Sequence, residues 1–239
     1  MDKLYIVIPA YNEEENIEEV VKDWYPVIER HDGGGESRLV VINDGSRDST
    51  FERLSELKKE RPLMEALTKP NSGHGPTLLY GYDYAIRNKA DYIFQTDSDG
   101  QTLPEEFEGF WALREQYDMV IGSRAGRQDG LARIFVTKTL KAVIRLCFKV
   151  DVTDANTPYR LMKARTLEKY TGLIPKDYFL SNVLISVIYK KKNLKVKYIP
   201  ITFRPRQGGV NSINMKRIFG IGKKALKEFR EINKTIENS

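Results

Sequence analysis

Cysteine is almost absent from this chain: Cys147 is the only one in 239 residues. That excludes an internal disulfide and any cysteine-built zinc site, and it makes a reducing compartment the default. Between Leu146 and Phe148 the lone thiol is expected to be buried. Histidine is scarce too, and His31 and His74 lie too far apart in sequence to form a metal signature. Long apolar runs are missing. No stretch approaches the roughly 20 apolar residues of a membrane helix. The apolar start, from Met1 to Tyr11, is too short for a secretory signal. The chain is therefore expected to be cytoplasmic, with any membrane contact peripheral and on the cytoplasmic face. Glycine-rich phosphate loops are also lacking. Where a dinucleotide-binding fold needs G-x-G-x-x-G, the chain has Pro9-Ala10-Tyr11-Asn12-Glu13, and no G-x-x-x-x-G-K-[ST] occurs anywhere.

What is present describes an ordinary globular chain, 41% hydrophobic and 30% charged, long enough to bury one sizeable core. The net charge is +6, and the excess is gathered toward the end. From Lys190 onward the cations include Lys191, Lys192, Lys195, Lys197, Arg204, Arg206, Lys216, Arg217, Lys223, Lys224, Lys227, Arg230 and Lys234. Only Glu228, Glu231 and Glu237 oppose them. Such an end favours phosphate groups or anionic lipid. Nucleic acid is not expected as a partner, since no recognition motif or aromatic platform accompanies the charge.

The first half alternates short apolar strands with helical patterns, the signature of an α/β fold with a mostly parallel sheet flanked by helices. Strands are expected at 4–8, 39–42, 65–68, 91–96 and 119–121. Asn12 is expected to cap a helix with Ile17, Val20, Val21, Trp24 and Ile28 on one face, bent at Pro26. Ser49 or Thr50 should cap the next helix. Further helices are expected at 78–87, from Pro104 through Leu113, at 131–149 and at 179–189. Extended chain is expected at 159–162 and 196–203. In the tail, Ile218, Ile221, Ala225, Phe229, Ile232 and Ile236 stand at helical spacing with basic residues on the other faces. That helix either lies on a membrane surface or packs on the domain. Trp24 and Trp111 belong to apolar helix faces and should be core.

Ligands in an open parallel sheet bind outside the carboxyl ends of the strands. Three polar clusters stand at such ends: Pro9 to Glu13, Asn43-Asp44-Gly45-Ser46, and Asp97-Ser98-Asp99. Two carboxylates one residue apart can both reach one hard cation, and magnesium or manganese usually binds through one or two carboxylates plus substrate phosphates. Gln101 could add a neutral oxygen, and Tyr11 could pack on a base.

These residues resemble the family 2 glycosyltransferases, of the GT-A nucleotide-diphospho-sugar transferase fold. The likeness is carried by Ile8 to Glu14, Val41 to Ser46, Lys69 to Gly75, Asp97-Ser98-Asp99-Gly100-Gln101 and Val120-Ile121-Gly122-Ser123-Arg124. Within the family it is nearest to dolichyl-phosphate mannose synthases and bacterial polyprenyl-phosphate sugar transferases. The resemblance implies that Pro9, Ala10, Tyr11, Glu13, Asp44, Lys69, Gly73, Asp97 and Ser98 hold a UDP- or GDP-sugar. It further implies that Asp97, Asp99 and Gln101 surround Mg2+ or Mn2+, and that Arg124, Arg133 and Arg206 face phosphate. The segment from Asp154 to Arg160 resembles Asp-x-x-Ser-Gly-Phe-Arg, with Thr157-Pro158 in place of Ser-Gly, and makes Asp154 a further catalytic candidate. One domain over 1–239 follows: a donor half at 1–124, an acceptor half at 125–212 and a basic amphipathic helix at 213–239. The expected reaction is an inverting, metal-dependent sugar transfer to polyprenyl phosphate. The alternatives are a saccharide hydroxyl in cell-surface polysaccharide synthesis, with Asp154 as base, or a sugar-nucleotide-binding subunit without turnover. A membrane-protein partner would supply the membrane helices that relatives often carry. A sugar-1-phosphate nucleotidylyltransferase is disfavoured, because the glycine-rich loop after strand one is missing.

Overall fold

The computed structural model describes residues 2–124, 131–205 and 228–238, with the backbone alone over 131–136. Among the described residues seven strands form one sheet: β1 Leu4–Ala10, β2 Arg38–Asn43, β3 Met64–Thr68, β4 Tyr92–Gln95, β5 Met119–Ser123, β6 Arg160–Lys163 and β7 Val196–Pro200. Their order across the sheet is β3-β2-β1-β4-β6-β5-β7. All pairings are parallel except those of β6, which runs antiparallel to both β4 and β5.

The alternation of side chains along each strand separates two cores. Leu4, Ile6 and Ile8 of β1, with Leu39, Val41 and Phe94, face helices α1 Ile17–Arg30, α2 Thr50–Lys59 and α4 Phe107–Trp111. An aromatic cluster closes that side: Phe94 stands 4.7 Å from Tyr159 and 5.0 Å from Phe107, ring centre to ring centre. Tyr5, Val7, Val40, Ile42 and Ile93 face the other way, into the core built with α3 His74–Arg87, α5 Leu131–Phe148, α6 Ala164–Thr171 and α7 Ser181–Lys191. Trp24 is buried as expected, whereas Trp111 is only half-buried, with the Arg114 guanidinium 4.6 Å from its ring.

Several local expectations need correction. Asn12 does not cap α1, which begins five residues later behind Asn16. Asn12 instead adopts φ 53°, accepts a hydrogen bond from the Arg47 amide and donates its own amide to Ser46. Ser49 precedes α2 but makes no side-chain cap; the Thr50 hydroxyl bonds to Asp48 instead. Helix α3 starts at His74, a turn before the apolar periodicity declares it, because Gly75 and Pro76 carry no apolar signal. Helix α6 was not expected at all. Its eight residues bury only Ala164 and Leu167, too few for a readable period.

Part of the tail is described. Residues 228–237 form a helix, α8, and its apolar stripe is spent on the domain: Phe229, Ile232 and Ile236 are buried. Phe229 lies 5.1 Å from the Phe148 ring, and Lys191 of α7 bonds to Asn233 and Glu237. For these residues the packed alternative holds. Positions 218, 221 and 225 of the same stripe lie outside the described residues.

Candidate active site

The chain leaves β1 for β2 on one side and later returns to β4 on the other, so the topological switch point falls between β1 and β4. Crevices form there because the loops after the two strands diverge. Pro9-to-Glu13 and Asp97-to-Asp99 therefore flank one opening.

The β1 side is stitched to the loop after β2. The Asn12 amide donates to Ser46 Oγ at 3.0 Å, the Glu13 amide to Thr50 Oγ1 at 2.9 Å, and Ser49 N to Glu14 Oε2 at 3.1 Å. Pro9 and Ala10 are buried in the strand end, and Ala10 O accepts the Asp44 amide. Glu13 is buried and accepts from Asn16 Nδ2. Tyr11 and Asn12 are exposed, and Tyr11, 42% accessible, offers a flat face to a base.

Asp44 organises the neighbouring loop. Its Oδ1 accepts from Lys69 Nζ and from the Ser72 amide, and its Oδ2 accepts from the Gly73 amide at 2.8 Å. Asn71 Nδ2 donates to the Asp44 carbonyl. Residues 69–73 thus fold around one buried carboxylate. Gly45 is required here: at φ +63° a Cβ would stand 2.7 Å from Asn71 N. This wrapped loop delivers the N-terminus of α3, where His74 Nε2 stops 3.9 Å from Asp97 Oδ1.

Asp97 Oδ1 is itself shut off from solvent and accepts no hydrogen bond from the described residues. An ionised oxygen in that condition is costly unless a cation or donor completes it. Asp99 Oδ1 accepts the Gln101 amide at 3.2 Å. Gln101 exchanges bonds with Arg204: its Nε2 donates to the Arg204 carbonyl, and Arg204 N donates to the Gln101 carbonyl. With its nitrogen engaged, any ligand this carboxamide offers a cation is its oxygen. Ser98 is buried between the two carboxylates. The orphaned Asp97 oxygen beside Asp99 fits a hard divalent cation, whose remaining positions would go to phosphate oxygens and water.

Across the sheet, beyond β6, Arg124 grips Asp154 with both arms, Nε to Oδ2 and a terminal nitrogen to Oδ1, each at 2.9 Å. The Phe203 ring lies 5.4 Å from the guanidinium. Burial pushes the Asp154 carboxyl up, but the Arg124 hydrogen bonds and charge, then Thr157, outweigh it and hold the group below the usual carboxylate range. Behind this pair Arg160 is fully buried and donates to the carbonyls of Ala155, Thr157 and Asn182, which fixes the turn that carries Asp154.

Residues 5–180 match the family model described as glycosyl transferase family 2. The chain is a member of glycosyltransferase family 2. It is 30% identical over 207 residues to an uncharacterized protein of Methanocaldococcus jannaschii, covering 84% of this chain and 81% of that one. It is 28% identical to the polyprenol monophosphomannose synthase of Mycolicibacterium smegmatis, covering 89% and 82%. The fold matches glucosyl-3-phosphoglycerate synthase of Mycobacterium tuberculosis, crystallised with Mn2+ and UDP-glucose. There the TM-score is 0.66 at 17% identity, over 97% of this chain and 79% of that one.

In this family 2 glycosyltransferase the structure brings Tyr11, Asp44, Lys69, Gly73, Asp97, Asp99 and Gln101 to the switch-point end of the sheet, and sets Arg124 with Asp154 past β6. Of Arg133 only the backbone is described, as part of α5, and Arg206 lies outside the described residues. Two residues take their weight from tertiary contacts. His74 reaches Asp97 across 23 positions of sequence, and Arg160, merely the last letter of a motif, proved to be the clamp on the Asp154 turn. A buried arginine could have been suspected from its apolar neighbours Tyr159 and Leu161. His74 lies in the Lys69-to-Gly75 segment that carries the family likeness, and between two glycines it reads as a loop residue near the nucleotide; its approach to Asp97 is set by tertiary structure.

Proposed function

We propose that the chain transfers a sugar, with inversion, from a UDP- or GDP-sugar to a polyprenyl phosphate at the cytoplasmic face of a membrane. The observation that carries this reading is the buried Asp97 oxygen beside Asp99 at the switch point, to which no described residue donates a hydrogen bond. Residues 1–124 supply the donor side: Tyr11 stacks on the base, the loop wrapped on Asp44 borders the nucleoside, and Asp97, Asp99 and Gln101 hold Mg2+ or Mn2+. The cation supplies Lewis-acid stabilisation of the charge that grows on the departing diphosphate.

The chain's own residues then account for the acceptor. A phosphate oxygen of the acceptor forms the new bond to the anomeric carbon as the bond to the diphosphate breaks. The nucleoside diphosphate leaves with the electron pair, and no proton need be removed from the nucleophile. Arg124, at the end of the donor half, and Arg133 and Arg206, in the half spanning 125–212, are cations suited to phosphate oxygens. A saccharide hydroxyl would require a base. Asp154 serves that role poorly, because Arg124 occupies both of its oxygens and keeps it ionised at low pH. The named function of the Mycolicibacterium relative and the Mn2+ and UDP-glucose of the Mycobacterium structure support the acceptor and the donor respectively.

The test is transfer of radiolabelled sugar from a panel of UDP- and GDP-sugars into a butanol-extractable polyprenyl phosphate. Wild type is expected to label the lipid, and Asp99→Asn to lose at least about a hundredfold in rate, the scale seen when one electrostatic stabiliser is removed. Full activity in Asp99→Asn, or labelling of a saccharide with none of the lipid, contradicts the proposal.

A further inference from the structure

Helix α5 presents an outward face that the transfer chemistry does not use. Residues 131–150 contain Arg133, Lys138, Lys141, Arg145 and Lys149 and not one acid. Ile144, Cys147 and Phe148 turn inward. On the opposite side Lys138, Lys141, Ala142, Arg145, Leu146 and Lys149 are exposed, at spacings that place them on one helical face. Leu146 is 67% accessible, the most exposed of the large apolar side chains described. Among the described residues, an acid meets this face at the C-terminal end of α5, where Asp151 lies 3.8 Å from Arg145 Nε.

An apolar side chain ringed by cations and pointing outward is the arrangement that binds an anionic interface: the cations meet headgroup phosphates, and the leucine enters the acyl boundary. The connections of α5 give the face a location. The segment 125–130 separates it from Arg124, and 149–153 separates it from Asp154. Both ends are thus tethered to the two residues that form one ion pair past β6.

We propose that the outer face of α5, through Lys138, Lys141, Arg145 and Leu146, seats the protein on an anionic phospholipid bilayer with the Arg124–Asp154 side of the sheet toward the membrane. This rests on the proposed lipid-linked acceptor only for its purpose, since binding is measurable without transfer. It moves membrane contact from the C-terminal stripe, whose described part is buried, to α5.

The experiment is co-sedimentation of the full chain with vesicles of phosphatidylcholine alone or mixed with phosphatidylglycerol. Binding is expected only to the anionic vesicles. Lys138→Gln/Lys141→Gln should lower the partition coefficient about thirtyfold, at the usual contribution of a basic residue near an anionic surface. Leu146→Ser should lower it about tenfold, the scale of losing one partly buried leucine. All three substitutions are on the surface, and transfer to a short, water-soluble polyprenyl phosphate should stay at the wild-type rate. That control separates this proposal from the transfer reading: loss of vesicle binding with intact transfer supports α5 docking. Equal binding to neutral and anionic vesicles, no binding at all, or wild-type partition in both variants overturns it. The last result would assign the basic face to a protein partner or the contact to another part of the chain.

Discussion

At the scale of single residues, carboxylates in this site differ by what completes them. Asp44 is saturated by Lys69 and two amides, so it builds a loop. Asp154 is saturated by Arg124, and Asp97 keeps a buried oxygen to which no described residue donates a hydrogen bond. The second case has a pH signature. Because the folded pKa of Asp154 is depressed, its stabilisation is fully present above the ordinary carboxylate value and is lost as pH falls through the folded one. Asp154→Asn should therefore cost about 3 kcal/mol in urea unfolding near pH 7, as expected for breaking a buried pair. The gap from wild type should narrow below about pH 4, where the carboxyl of the unfolded chain begins to protonate while the folded one stays ionised. A gap that is the same at pH 3 and pH 7 would show that the ion pair is not its source. The Asp97-Ser98-Asp99 pair was legible in the sequence because its members are adjacent and follow a strand. The partners of Asp44 and Asp154, Lys69 and Arg124, were not, because each lies 25 or more residues away.

At the scale of elements, the site depends on how closely α3 can approach its neighbours. A Cβ on Gly75 would lie 2.2 Å from the Tyr178 carbonyl oxygen and 2.7 Å from that of Phe179, both backbone atoms that cannot swing aside. Gly75→Ala should lower stability by about 2–3 kcal/mol and raise KM for the donor more than it lowers kcat, since it displaces His74 and the loop held by Asp44. Unchanged thermal unfolding would mean that the contact is not tight. Helix α8 offers a parallel test. Phe229 is fully buried against Phe148 and Tyr178, so Phe229→Ala should cost about 3–5 kcal/mol in buffer without lipid. A helix that served only a membrane would leave stability in solution untouched. Long, strongly periodic elements such as α1, α5 and the first strands were readable from sequence. Helix α6, the antiparallel setting of β6 and the true start of α3 were not, because tertiary contacts rather than local periodicity define them.

At the scale of the whole molecule, one sheet with a switch point between β1 and β4 explains why residues from three strand ends, far apart in sequence, meet at one opening. The parallel part of that sheet was expected from the alternation of strands and helices. The crossing from β4 to β6 was not, because nothing local tells a strand which neighbour it will join. The proposed transfer turns on a cation shared by Asp97, Asp99 and the donor's diphosphate. Its most direct measurement is thermal unfolding of wild type and of Asp97→Asn/Asp99→Asn with UDP or GDP, each with and without Mn2+. For one nucleotide at about a hundred times its Kd, Mn2+ and nucleotide together should raise the wild-type Tm by about 5–10 °C. Either alone should do far less, and the double variant should show no such synergy. An equal rise in the double variant, or a nucleotide shift in wild type indifferent to Mn2+, would contradict it.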